Sequence, residues 1–152
     1  GGSLEIWCKI TDTSGYRHIG GWRSTNFAFY MLLLSSNGKV EARAKSSSSN
    51  LVDIVTSDYG TSFWANNWNH IVLTDSGSDN KTRFYLNGSL VATSTSTLYT
   101  LPSNTLFELM KTANLSFGTA AGKLSQVRVY DDTLSDSEVE QNFNAFRGRY
   151  GI

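Results

Sequence analysis

A two-layer antiparallel β-sandwich with one short C-terminal helix is the fold that this 152-residue sequence predicts. Three observations carry the prediction. Apolar and polar residues alternate through one short segment after another, as in Leu4, Ile6, Cys8 and Ile10 against Glu5, Trp7 and Lys9. The composition holds 36 Ser plus Thr, 12 Asn and 13 Gly against a single Pro at position 102, which suits many strands joined by polar turns. Helical spacing is reserved for the end of the chain.

Taken in order, Leu4 to Ile10 reads as a strand with one face on the core, and Cys8 as a small buried hydrophobe within it. A turn at Thr13-Ser14-Gly15 leads to a strand from Tyr16 to Trp22, then to an apolar run, Phe27 to Leu34, that is continuous enough to be buried on both faces. Asn37-Gly38 favours a tight turn with positive φ before the alternating strand Lys39 to Ala44. The serines 46 to 49 mark a loop, and Leu51 to Thr56 is the next strand. Trp64 to Trp68 introduces His70 to Thr74, with Trp68 expected to lead that strand inward; Thr82 to Leu86 turns at Asn87-Gly88 into Leu90 to Ala92. Further strands fit Thr105 to Leu109, Asn114 to Phe117 and Lys123 to Tyr130, giving a sandwich or jelly roll. Leu134, Val139, Phe143 and Phe146 then follow helical spacing. Ser135 and Glu138 form a capping box, Leu134 staples onto Val139, and the helix is expected from about Asp136 to Phe146 with Gly148 as its stop. No repeat or second compositional zone interrupts the chain, so one domain over 1–152 is predicted.

Composition excludes several classes of function. Thirteen basic and 13 acidic side chains cancel, so the positive field that a phosphate backbone requires is missing, and nucleic acid is not an expected partner. No apolar run reaches the length of a bilayer span, and no membrane partner is expected. One cysteine cannot form an internal disulfide or a cysteine-based zinc cluster.

Three segments in this order resemble the concanavalin A-like jelly-roll superfamily, and within it the laminin G-like module. They are Trp68 to Thr74 with its Trp-x-His start, Arg83 to Val91 with its Asn-Gly hairpin, and Gly122 to Tyr130 followed by Leu134-Ser135 and Glu138. The tail 142–152 resembles the ends of such modules in tailed-phage structural proteins. The resemblance implies an all-β, two-sheet antiparallel jelly roll. It also implies a virion decoration, fibre or tail component that assembles with its own copies or other virion proteins and touches host-surface glycans. The alternative is a secreted, extracellular adhesion or carbohydrate-binding module with calcium at its rim. The family places a further strand before the Trp-containing one, whereas only Gly1-Gly2-Ser3 precede Leu4. An open edge at Leu4 to Ile10 is therefore expected, completed by a neighbouring subunit or by a longer chain of which this domain is part.

Few residues carry the makings of catalysis. Glycoside hydrolysis needs paired carboxylates facing one cleft. Glu5, Glu41, Glu108, Glu138 and Glu140 are the only glutamates, and none has a carboxylate two residues away on a strand, so a glycanase is a remote alternative. His18 and His70, the two possible bases for a nucleophile, read as packing residues, and the chain is expected not to be an enzyme. Sugar rings stack on aromatic faces beside planar amides, which selects Trp7, Trp22, Asn26, Tyr59 and Trp64. Asp75, Asp79 and Asp131, on two oxygen-rich loops, are the candidate calcium donors that the resemblance implies. Arg147 and Arg149 form a basic end to the helix suited to docking on an acidic partner.

Overall fold

The computed structural model describes residues 1–15, 17–23, 28–34, 38–45, 50–95, 106–110 and 118–152. Its strands are β1 (Gly2–Ile10), β2 (Arg17–Arg23), β3 (Ala28–Leu34), β4 (Val40–Lys45), β5 (Asn50–Val55), β6 (Trp68–Ser76), β7 (Lys81–Leu86), β8 (Ser89–Ser94), β9 (Leu106–Leu109), β10 (Gly118–Thr119) and β11 (Gly122–Tyr130). Two helices complete it, α1 (Thr61–Trp64) and α2 (Asp136–Tyr150). One sheet has the order β11-β1-β6-β7-β8; the other runs β10-β2-β3-β4-β5, with β9 also paired to β2. All pairs are antiparallel except β10 with β2. The two-sheet sandwich expected from alternation is the observed architecture. The loop expected at serines 46 to 49 and the strand expected at Asn114 to Phe117 lie outside the described residues.

The inner faces meet in one apolar core. Leu4, Ile6, Cys8 and Ile10 of β1, Ile71 and Leu73 of β6, and Phe84 and Leu86 of β7 face Ile19, Val40, Ala42 and Ile54 of the opposite sheet. Each such large side chain contributes about 1.5–3 kcal/mol by leaving water. Burial pushes the Cys8 thiol up to about 12, so it behaves as the packing residue the alternation assigns it.

β1 is not an edge. It pairs with β6 on one side and with β11 on the other along nearly its whole length. The expected open edge at Leu4 to Ile10 is thereby corrected: the returning strand from the far end of the chain covers it.

The second face of β1 is also buried, because α2 lies across it. Trp7 is fully buried and stacks on His70 at 4.8 Å, on Phe143 at 5.9 Å and on Tyr150 at 4.2 Å between ring centroids. Glu5, 1% exposed, receives Arg128 Nη1 at 2.8 Å, the Tyr130 hydroxyl at 2.7 Å and Asn142 Nδ2 at 3.1 Å, and His70 Nε2 stands 3.2 Å from its Oε1. Val139 closes on Val72 and Tyr85 with Leu134 beside them, which is the expected staple. The Ser135 capping box is formed as the sequence predicts. The helix does not stop at Gly148, however: it continues to Tyr150 and ends at Gly151, φ 74°. Glycine inside a helix costs only about 1 kcal/mol, and the Tyr150 ring on Trp7 with its hydroxyl on Ser125 Oγ at 2.7 Å outweighs that.

The β7–β8 turn is fixed by the same helix. Asn87 and Gly88 both have positive φ, 49° and 80°, as a two-residue hairpin requires. The Asn87 side chain accepts from His70 N at 2.8 Å and donates to Asn69 at 3.1 Å, locking the hairpin to β6. A Cβ at Gly88 would stand 2.7 Å from Phe143 Cδ1.

Two measurements check these constraints. Gly88→Ala is expected to lower unfolding stability by about 1–3 kcal/mol in a denaturant titration. Gly148→Ala, where an added Cβ would meet nothing within 4 Å, raises it by about 0.5–1 kcal/mol. Burial alone would raise the Glu5 carboxyl; the His70 ring beside it, the Tyr130 hydrogen bond and the Arg128 guanidinium outweigh it and hold the group below its ordinary 4.5. A lowered carboxylate adds stability above its unfolded value and loses it as pH falls through the folded one. Thermal melts should therefore decline as pH drops below about 4.5, and Glu5→Gln should be less stable at pH 7 with a shallower acid limb. An equally steep limb in the variant would contradict this assignment.

Candidate functional site

The face that α2 covers ends, at the start of the helix, in a shallow groove of ≈ 550 Å³. Ser76 ends β6, Asp79 comes from the β6–β7 turn, Arg83 and Tyr85 from β7, and Thr133 to Ser137 from the segment that opens α2. Strand period places Arg83 and Tyr85 on the same side of β7, and the helix start brings hydroxyls and a carboxylate over them. The loops are tied together: Thr133 Oγ1 donates to the Asp75 carbonyl at 2.7 Å. Ser3 Oγ donates to the Asp132 carbonyl at 2.9 Å and accepts from Leu134 N at 2.9 Å.

Each charged group in the groove has a defined partner. Arg83 pairs with Asp79 across one turn, and that contact holds the Asp79 carboxyl below its usual range. Tyr85 donates to Asp136 Oδ1 at 2.6 Å; burial, then this hydrogen bond and the Asp136 charge, push the phenol upward, so it stays protonated. Glu138 is held low by the Ser135 backbone N–H and hydroxyl. The result is a small array of ionised acceptors, one guanidinium and several hydroxyls in fixed orientation. Such groups recognise polar ligands by hydrogen bonding; a general acid at neutral pH would need a carboxyl shifted the other way.

The structure sorts the sequence-derived candidates. Trp7 cannot present a face to a sugar, since α2 lies on it; its side of β1 was expected to be open and is closed. Trp64 is corrected likewise: it is fully buried on α1, its Nε1 donating to the Gly38 carbonyl at 2.7 Å. Trp22 is half-buried against Phe107 at 4.9 Å, and Tyr59 lies against Phe63 at 5.0 Å. These two are not brought together, and Asn26 lies outside the described residues. Trp68 points to the outer face, against Tyr150 at 4.9 Å, rather than inward. Arg147 lies over the Phe143 ring at 5.6 Å and Arg149 is exposed, both at the other end of α2.

Of the candidate calcium donors only Asp79 lines the groove. Asp75 accepts from Thr82 Oγ1 at 3.1 Å, and Asp131 is exposed outside the lining. A guanidinium sits on the Asp79 carboxylate, where a calcium ion would need open oxygen ligands. Among the described residues no three His, Cys, Asp or Glu side chains converge. The donor set therefore does not fit calcium. Among those residues, too, no helix is long and apolar enough to cross a membrane.

Arg83, Tyr85 and Asp136 were not singled out as site residues from the sequence. The capping box located the helix start, and the two oxygen-rich loops were legible, but their approach to one another depends on β11 returning beside β1.

Comparison with known proteins agrees with this architecture. The family model of the concanavalin A-like lectin/glucanases superfamily, in its laminin G form, matches residues 1–140. No curated protein sequence matches the chain. Among solved structures, the binding domain of botulinum neurotoxin DC in complex with SialylT superposes with a TM-score of 0.71 at 17% identity, over 95% of this chain and 35% of that one. The botulinum neurotoxin serotype D binding domain gives 0.71 at 15% identity, over 95% and 36%. The chain thus spans about a third of those neurotoxin chains. The CBM40 of the Ruminococcus gnavus IT-sialidase gives 0.73 at 16% identity, over 93% of this chain and 82% of that one. At these identities the likeness is one of fold. The family match over 140 residues and the two stacked sheets give one assignment: the chain belongs to the concanavalin A-like lectin/glucanases superfamily.

Proposed function

We propose that this chain is a non-catalytic glycan-binding module whose ligand lies in the groove between the β6–β7 turn and the start of α2. The observation that carries the reading is the preorganised polar array there. The Arg83–Asp79 and Tyr85–Asp136 pairs, with Ser76, Ser135 and Ser137, offer donors and acceptors in the alternation that neighbouring sugar hydroxyls require. Structures of similar fold include a neurotoxin binding domain in complex with SialylT and a sialidase CBM40, which supports the same class of ligand. A binding role is supported by how the carboxylates that line the groove are occupied, Asp79 by Arg83 and Asp136 Oδ1 by the Tyr85 hydroxyl.

The setting we propose for the module is a virus particle, as a decoration, fibre or tail component. It is supported by the resemblance of the tail 142–152 to phage structural modules, and is tested by whether the chain co-purifies with particles.

A glycan array followed by titration of the strongest neutral ligand tests the binding reading. Arg83→Ala and Asp136→Asn are expected to weaken that ligand about tenfold or more, the loss of roughly one charge-assisted hydrogen bond, while thermal melts confirm that both variants fold. No ligand on the array, unchanged affinity in both folded variants, or turnover of a polysaccharide would overturn the proposal.

A further inference from the structure

Four cations gather around the far end of α2, and none of them forms an ion pair with a described carboxylate. Lys9 and Lys123 face each other directly across the β1–β11 ladder. Strand alternation puts them on the outer face, with Glu5 and Trp7. Like charges in that position repel. On its other side Lys9 is opposite Trp68, so a row across three strands reads Lys123, Lys9, Trp68. The last turn of α2 ends beside this row, with Tyr150 against Trp68 and its hydroxyl on Ser125 of β11. Asn142 reaches Glu5 and Tyr130, and Phe146 lies beneath Arg128 at 4.8 Å, so that side of the helix leans toward β11. Arg149 follows them at helical spacing and shares their side. Arg147 lies on the other flank, over Phe143.

Three described arginines elsewhere differ. Arg17, Arg83 and Arg128 are each paired with a carboxylate. In a chain of zero net charge, a local cluster of unanswered cations is an excess field on one surface. Arg147 and Arg149 partly offset the helix C-terminus, but Lys9 and Lys123 are strand residues with no such role.

We propose that this surface binds an acidic polysaccharide, with Lys9, Lys123 and Arg149 holding its carboxylate or sulfate groups and the half-buried rings of Trp68 and Tyr150 beside its sugar rings. Charge complementarity selects an anion, and the aromatic flank selects a sugar over a simple ion. The ligand class rests on the glycan-binding reading above, but the residues are separate: thirteen helical steps, about 20 Å, divide Asp136 from Arg149.

The test uses the whole chain with dextran sulfate, unsulfated dextran and poly-glutamate as probes. Dextran sulfate is expected to bind and dextran not. The affinity should fall about tenfold or more between 50 and 500 mM NaCl, as screening demands. The double variant Lys9→Gln/Lys123→Gln should lose at least about tenfold in affinity while its melting temperature stays level or rises, because the cross-strand repulsion is removed. Arg83→Ala, in the groove, should leave dextran sulfate binding unchanged, so failure of the groove reading and of this one are separable. No binding of dextran sulfate, binding retained in the folded double variant, or equal affinity for poly-glutamate would each overturn the proposal, the last by assigning the surface to an acidic protein.

Discussion

Burial of Glu5 beneath α2 is the constraint on which the rest of the molecule depends. A carboxylate removed from water is destabilising by several kcal/mol unless its lone pairs are met. Here the partners come from three different elements: His70 from β6, Arg128 and Tyr130 from β11, and Asn142 from α2. Loss of any one element would leave a charge without its partners. The aromatic stack of Tyr150, Trp7, Phe143 and His70 adds the apolar contribution at the same place. A polar network surrounded by rings specifies one register for β1, β6 and β11 and one seat for the helix, where apolar packing alone would tolerate sliding.

That seat decides what is available for function. The middle of the outer face of the β11-β1-β6-β7-β8 sheet is covered by the helix, and two polar surfaces lie at the ends of that helix. At the N-terminal end the helix start meets the β6–β7 turn and forms the polar groove. At the C-terminal end, Lys9, Lys123, Arg149 and Trp68 stand around the last turn. The buried carboxylate takes part in neither, because its ligands are all within the protein. Both binding proposals thus follow from where one helix begins and ends, which is a property of packing and not of any local sequence motif.

Much of the fold was legible because one face of most strands repeats with period two and the turns carry Asn-Gly. The capping box and staple of α2 were legible for the same local reason. What the sequence misread was the other face. Trp7 alternates with core residues, so its side of β1 looked open to a ligand, and only Phe143 and Tyr150 of the C-terminal helix close over it. The open edge expected at Leu4 had the same origin: β11 pairs there across the whole length of the chain. Gly148 looked like a stop because glycine is a poor helix former, whereas Tyr150 beyond it carries a tertiary contact that prolongs the helix. In the groove, the oxygen-rich loops were visible from composition, but Arg83 on Asp79 changes them from candidate cation ligands into ionised, occupied pairs.

Amide hydrogen exchange tests the central claim most directly. If α2 is locked through Glu5 and Trp7, its central amides from Val139 to Phe146 should exchange as slowly as those of β1 and β6, opening only with the whole domain. Rapid exchange along the helix while the two strands remain protected would contradict the account.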